Sequence, residues 1–171
     1  MNKKEKVESF SWVLSDLIVD LGTSSKLYFD CTAEPNHNPE ENNYHLGLLR
    51  MCYMTTVISL SKLIEALNGF ANELKECCPL EVVDTTWQIK RKIENMKVYE
   101  FRNKYVAHVF DKETGKPIDL IAGKERLSAI IGSKNEHVSD FYKWVNQTLL
   151  DQLLNINDSL DTYVKGISSR K

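Results

Sequence analysis

Apolar residues recur at helical spacing along most of the chain, and polar stretches divide that pattern into segments. Val7, Phe10, Leu14, Leu17, Ile18 and Leu21 fall on one face of a first helix, and the pattern resumes as Leu27-Tyr28-Phe29 after a weak point at Gly22 and Thr23. Residues 32 to 43 contain Pro35, Pro39 and several Asn and Glu, too little apolar surface to hold a helix, so a polar loop is expected there. Leu46, Leu49, Tyr53, Val57, Leu60, Ile64 and Leu67 then mark a second helix. Met51, Met54 and Ile58 widen its apolar face, which argues for a central position.

Gly69 and Pro79 bracket a short helical connector, and Asp84 is the expected cap of a third helix running through Trp87, Ile89, Ile93 and Met96 toward His108. Residues 111 to 117 form a turn-rich stretch with the composition of a loop or small hairpin. Beyond it, Ser133 and Glu136 have the spacing of a capping box. Val138, Phe141, Val145, Leu149, Leu153, Ile156, Leu160 and Tyr163 continue one apolar stripe as far as Gly166, which predicts the longest helix of the chain. No strand-like alternation competes with these patterns. The expectation is an all-α fold, an up-and-down bundle of four main helices plus one or two short ones, in a single domain over residues 1 to 171.

The third helix holds a conflict. At about 100° per residue, the stripe Ile89, Ile93, Met96 predicts inward positions at Glu100, Asn103 and Ala107, two of them polar. Either these polar groups belong to a functional site, or the helix rotates so that Val98, Phe101 and Tyr105 take over the buried face.

Composition narrows the function classes. With 42% hydrophobic and 27% charged residues the 171-residue chain is of ordinary globular make-up, and its net charge of −2 gives no chain-wide attraction to nucleic acid. Charge is unevenly placed, however. Residues 90 to 126 carry ten Lys and Arg against six Asp and Glu, a local surplus of +4 that leaves −6 for the rest. Such a surplus suits a phosphate-binding groove, although a solvated helix face is the commoner origin of such a run taken alone. Cys31, Cys52, Cys77 and Cys78 have no metal-ligand spacing and read as reduced thiols. The charged start Met1 to Lys6 contains no apolar signal core, and Arg50, Lys62 and Glu65 interrupt the most apolar stretch, Leu46 to Leu67. No export and no membrane association are expected, and the location read from the sequence is cytoplasmic.

The segment Phe101-Arg102-Asn103-Lys104-Tyr105-Val106-Ala107-His108 places an Arg, followed by a polar residue, ahead of a His near an expected helix end, with five residues between the two. It resembles the signature of the HEPN superfamily. Its wording, together with Leu60-Ser61-Lys62-Leu63-Ile64 on the second helix, is most similar to the abortive-infection branch. The resemblance extends over most of the chain in helix order and is specific across about eight residues. It implies a metal-independent endoribonuclease of the toxin–antitoxin or antiviral-defence kind, acting as a homodimer with the two motifs in one cleft, and with an antitoxin or defence-system protein as a further partner. No cofactor is implied.

Metal-free RNA cleavage uses the 2′-hydroxyl as nucleophile and needs a base, an acid and a cation at the crowded phosphate. The resemblance makes Arg102, Asn103 and His108 the catalytic candidates: His108 as base or acid, Arg102 as cation, Asn103 as a hydrogen-bonding orienter. Lys97, Lys104, Tyr105 and Lys112 are the candidate RNA contacts. On a regular helix six steps amount to about 600°, so Arg102 and His108 would point roughly 120° apart, which makes a site shared between two protomers part of the expectation. Phe110 stands two positions after the His, where some toxin members carry a modifiable Tyr, so modification there is not expected. Tyr105 is either a substitute for that Tyr or a packing aromatic.

Two other readings stand beside this one. His37 and His45 flank the acidic loop and His137 opens the fourth helix, but no pair has the short spacing of metal ligands on one helix, so no metal site is expected. The second is a non-catalytic HEPN-like module binding RNA, a nucleotide or a partner protein, in which Arg102 and Asn103 are buried and hydrogen-bonded and His108 caps a helix end.

Overall fold

The computed structural model describes residues 1–106, 115–116 and 119–168, and all the regular structure among them is helical. The first helix, α1 (Lys3–Ala33), opens on a capping box in which Asn2 Oδ1 accepts from the Glu5 amide and Glu5 Oε2 accepts from the Asn2 amide, each at 2.9 Å. It buries Val7, Phe10, Leu14, Leu17 and Leu21, and it runs through Gly22 and Thr23 without a break. The continuation depends on polar core residues. Ser24 hydrogen-bonds the Leu21 carbonyl at 3.1 Å and the Thr56 hydroxyl at 3.0 Å, so the buried stripe proceeds through serines to Tyr28 and Cys31.

The polar loop after α1 is pinned by His45. The Asn38 amide donates to His45 Nδ1 at 3.1 Å, which leaves His45 Nε2 facing Glu34 Oε2 at 3.3 Å. Helix α2 (Asn43–Gly69) buries Leu49, Cys52, Val57, Leu60, Leu63, Ile64 and Leu67 and packs along α1. It is the one helix among the described residues long and apolar enough, by length and composition, to cross a membrane, and half of that apolar window is buried inside the fold. The short helix α3 (Ala71–Cys77) follows, with Phe70 stacked on Phe10 at 4.9 Å between centroids.

Over its described residues, the expected third helix is three pieces. Helix α4 (Leu80–Asn95) starts four residues ahead of Asp84, which is exposed within it, because Pro79 supplies the entry conformation at the N-cap. It ends at Asn95, and Lys97 takes the left-handed conformation (φ 61°) that closes a helix C-terminus. A single turn, α5 (Val98–Phe101), then passes directly into a π-helical turn over Arg102–Val106. Helix α6 (Leu120–Ile131) is capped by Asp119, whose carboxylate accepts from the Ile121 and Ala122 amides, and it ends at Gly132. Ser133 and Glu136 do not form the expected capping box: Lys134 is the N-cap and no side chain caps this end. Helix α7 (Asn135–Trp144), a second π turn (Val145–Leu149) and α8 (Leu150–Ser168) form the long apolar stripe read from the sequence. Of the turn-rich stretch, residues 111–114 and 117 lie outside the described residues.

One core joins these helices. Helix α1 packs mainly against α2 and α8, and α4 is tied to α8 where the Gln152 amide donates to the Val82 carbonyl and to Thr86 Oγ1, both at 2.9 Å. At its centre Tyr142 is fully buried, stacked on Tyr28 at 4.1 Å, with its hydroxyl 3.3 Å from Thr56. Burial pushes the Cys52 thiol up to about 11 and the Tyr53 phenol up to about 12, and it raises Tyr142 further still. All four cysteines are free thiols, and Cys31 lies 3.5 Å from His37 Nδ1.

Candidate functional site

The left-handed residue at Lys97 resets the face of the chain that follows it. Val98 is fully buried and Phe101 nearly so, Tyr105 is half-buried, and Glu100 and Asn103 face solvent. The inward positions expected at Glu100 and Asn103 are therefore corrected: the helix ends at Asn95, and the chain re-enters with Val98 and Phe101 turned to the core. The π turn over Arg102–Val106 departs from the regular 100° per residue on which the expected angle was reckoned.

Arg102 begins the π turn. Its Nη1 donates to Glu65 Oε1 on α2 at 2.6 Å, and its guanidinium carbon sits 5.5 Å from the Tyr99 ring centroid. One third of the Arg102 side chain and half of the Glu65 side chain remain exposed, so the pair is solvent-screened. Guanidinium has five N–H donors, and one directed at Glu65 leaves the others to engage a phosphate. Asn103 and Lys104 are exposed on the following positions. Tyr105 stacks on Phe101 at 5.3 Å, and its ring lies against Gly123 of α6, where an added Cβ would meet Tyr105 Cδ1 at 3.1 Å. That environment supports the packing reading of Tyr105. His108 and Lys112 lie outside the described residues.

Two grooves flank the segment. One, of about 190 Å³, runs between α5 and α6 and brings Lys97, Lys104 and Arg126 around Tyr105, with Glu100 on the same wall. The other, of about 410 Å³, lies between the ends of α2 and α4 and is lined by Glu65, Glu94, Glu100 and Lys97. The first suits an anion and the second does not. The sequence surplus of positive charge is partly consumed in local pairs: Lys90 with Glu94 at 2.6 Å, Lys97 with Glu100 at 3.0 Å and Arg102 with Glu65. Lys92 instead lies over the Trp144 ring at 4.0 Å, and burial lowers its pKa.

The sequence pattern does not single out Tyr99 or Arg126, and Glu65 enters it only as a charge interrupting the apolar stretch of the second helix. Nothing local marks Glu65 as a partner of Arg102, because 37 positions separate them. Arg126 carried a signal in Asp119 and Gly132, which bracket α6 as cap and stop. The rings of His37 and His45 lie 5.2 Å apart, and among the described residues no three His, Cys, Asp or Glu side chains are grouped to hold a metal ion. Comparison of the chain with protein-family models, with curated proteins and with solved structures gives no match.

Proposed function

We propose that the chain is a metal-independent endoribonuclease of HEPN type, a single helical domain over residues 1 to 171. Its four main rods are α1, α2, α4 with α5, and α7 with α8, in up-and-down order. Two protomers bring their Arg102 to His108 segments into one cleft. The observation that carries the reading is the setting of Arg102: a guanidinium one third exposed at the head of a π turn, in a segment whose Lys104 joins Lys97 and Arg126 in a neighbouring groove. Such turns occur mostly as local bulges and often at functional positions.

In this mechanism a base takes the proton of the 2′-hydroxyl, and the oxygen attacks the adjacent phosphorus. The bond to the 5′-oxygen breaks, and an acid returns a proton to that leaving oxygen, giving a 2′,3′-cyclic phosphate and a free 5′-hydroxyl. His108 of one protomer serves as base or acid, set against Arg102 of the other protomer. Arg102 balances charge on the phosphate, and Asn103, which does not titrate, orients it. Lys97 and Lys104 steer the flanking backbone.

A second reading is favoured by the Glu65 contact, since an Arg102 held by α2 is also what a non-catalytic helical module would use to fix α5. Expression of the wild type beside Arg102→Ala and His108→Ala, with growth and total RNA integrity followed, separates the two. The nuclease reading expects growth arrest and fragmented RNA with the wild type and neither with the variants. Equal behaviour of all three, with every chain folded, leaves the non-catalytic module.

A further inference from the structure

The first turn of α2 holds a buried titratable group that the proposed nuclease does not use. His45 is 6% exposed, whereas Glu34, Pro35 and Asn36 of the preceding loop lie in solvent. A backbone N–H can only donate, so the 3.1 Å contact from the Asn38 amide makes His45 Nδ1 the acceptor. The proton of the neutral ring then sits on Nε2, which faces Glu34 Oε2 at 3.3 Å.

Asn38 is the residue around which the loop is built. Its Oδ1 accepts from the Glu40 and Glu41 amides at 3.2 and 3.3 Å, and its Nδ2 donates to Glu41 Oε2 at 2.9 Å. Its carbonyl accepts at 2.9 Å from the amide of Asn42, the N-cap of α2. All these bonds are internal to the loop. The Asn38 amide makes the bond that reaches out of it, to the buried ring on α2.

Protonation of His45 places a second N–H on the ring, at Nδ1. Two donors then face each other at 3.1 Å, and the Asn38 bond is lost. The titratable groups set against the ring pull in both directions. Glu34, just past the end of α1, favours the charged ring, but its side chain is half exposed and screened. His37, from the loop, opposes a second positive charge, with the ring centroids 5.2 Å apart. Tyr44 of α2 lies ring to ring at 6.0 Å, Cys31 of α1 is reached through His37 Nδ1 at 3.5 Å, and Glu41 is reached through Asn38. Burial pushes the Cys31 thiol up, so it adds no charge at neutral pH.

We propose that His45 is an acid-operated latch on the loop between α1 and α2: with Nδ1 unprotonated it holds Asn38 and the chain up to Asn42 in place, and with the ring charged it releases them. The latch does not depend on the nuclease reading. Along α2, His45 is about 30 Å from Glu65, the partner of Arg102.

The test uses the full chain between about pH 8 and about pH 5, the range in which imidazole changes charge. Nitrogen-15 NMR should show His45 with Nδ1 unprotonated and Nε2 protonated at the upper end, and both nitrogens protonated at the lower. Over the same range a glutamate-specific protease should cut after Glu40 and Glu41 about five- to tenfold faster, the weight of one hydrogen bond, with each rate divided by that of a free peptide of residues 34 to 43 at the same pH. Far-UV circular dichroism should stay constant. His45→Asn puts a carbonyl oxygen near the place of Nδ1 and does not titrate, so cleavage should stay slow throughout. His45→Leu removes the acceptor and should make cleavage fast throughout, and His37→Asn should retain the rise. A proton on Nδ1 at the upper pH, a ring still neutral at the lower, cleavage unchanged as His45 titrates, or the same rise in folded His45→Asn overturns the proposal. So does loss of helical signal together with the rise, because acid is then unfolding the bundle rather than the loop.

Discussion

Replacing Lys97 with glycine tests the break on which the site's geometry depends. Lys97 is the one non-glycine residue at positive φ among those described. Holding an L-residue there costs about 1–2 kcal/mol, which glycine avoids. Against that gain stand about 0.5–1 kcal/mol of extra glycine backbone entropy and at most about 0.5 kcal/mol for the exposed Lys97–Glu100 pair. The net expectation for Lys97→Gly is a stability change between about −0.5 and +1.5 kcal/mol. Were α4 to continue through this position as one helix to His108, a mid-helix glycine would instead cost about 1 kcal/mol. The break centres the change at about +0.5 kcal/mol and a continuous helix at about −1 kcal/mol. Urea denaturation of the wild type, Lys97→Gly and Lys97→Ala reads it, with Arg91→Gly inside α4 as the internal standard for a helix-interior glycine. A loss at Lys97→Gly equal to that at Arg91→Gly, with unchanged m-values, refutes the break and the outward placement of Glu100 and Asn103.

Gly132→Ala should destabilise by about 2 kcal/mol, since the residue has φ 108° and an added Cβ would lie 2.6 Å from His137 Cβ; a thermal midpoint within a degree of wild type contradicts this. Glu65→Gln should lower stability by no more than about 1 kcal/mol, because its partner Arg102 and Glu65 itself are both partly exposed, and high salt should shrink that loss. A salt-independent loss above about 3 kcal/mol would instead mark a buried pair. Alkaline pH should weaken the fold. Cys52 and Tyr53 ionise in the unfolded chain from their ordinary values of 9.0 and 10.0 but in the folded chain only near about 11 and 12, so their contribution is intact below pH 9 and fades as pH rises through those values. Denaturation midpoints that stay flat from pH 8 to about 11 contradict that burial.

The apolar stripes of α1, α2 and the α7–α8 rod were legible because Val7 to Leu21, Leu49 to Leu67 and Val138 to Leu160 repeat at helical spacing with few interruptions. The continuity of α1 was not, because Ser24 and Ser25 occupy core positions and are satisfied by the Leu21 carbonyl one turn back and by Thr56 and Tyr142 from elsewhere in the chain. The break at Lys97 was hidden for a related reason. Left-handed closure is normally announced by Gly or Asn, and here a lysine adopts it. Of the two readings of the third helix, rotation onto Val98, Phe101 and Tyr105 is the one realised. At the candidate site Arg102 was singled out by the motif around it, while its bond to Glu65 arises from packing between α2 and the π turn.

Cleavage of RNA by the purified chain in EDTA, with the ends identified as 2′,3′-cyclic phosphate, bears most directly on the proposed function. The shared-site account predicts that the wild type cuts and that folded Arg102→Ala and His108→Ala each fail. A mixture of the two variants should regain part of the activity, because a mixed dimer pairs the intact Arg102 of one protomer with the intact His108 of its partner. Intact RNA with the wild type, or cleavage undiminished in either variant, contradicts it.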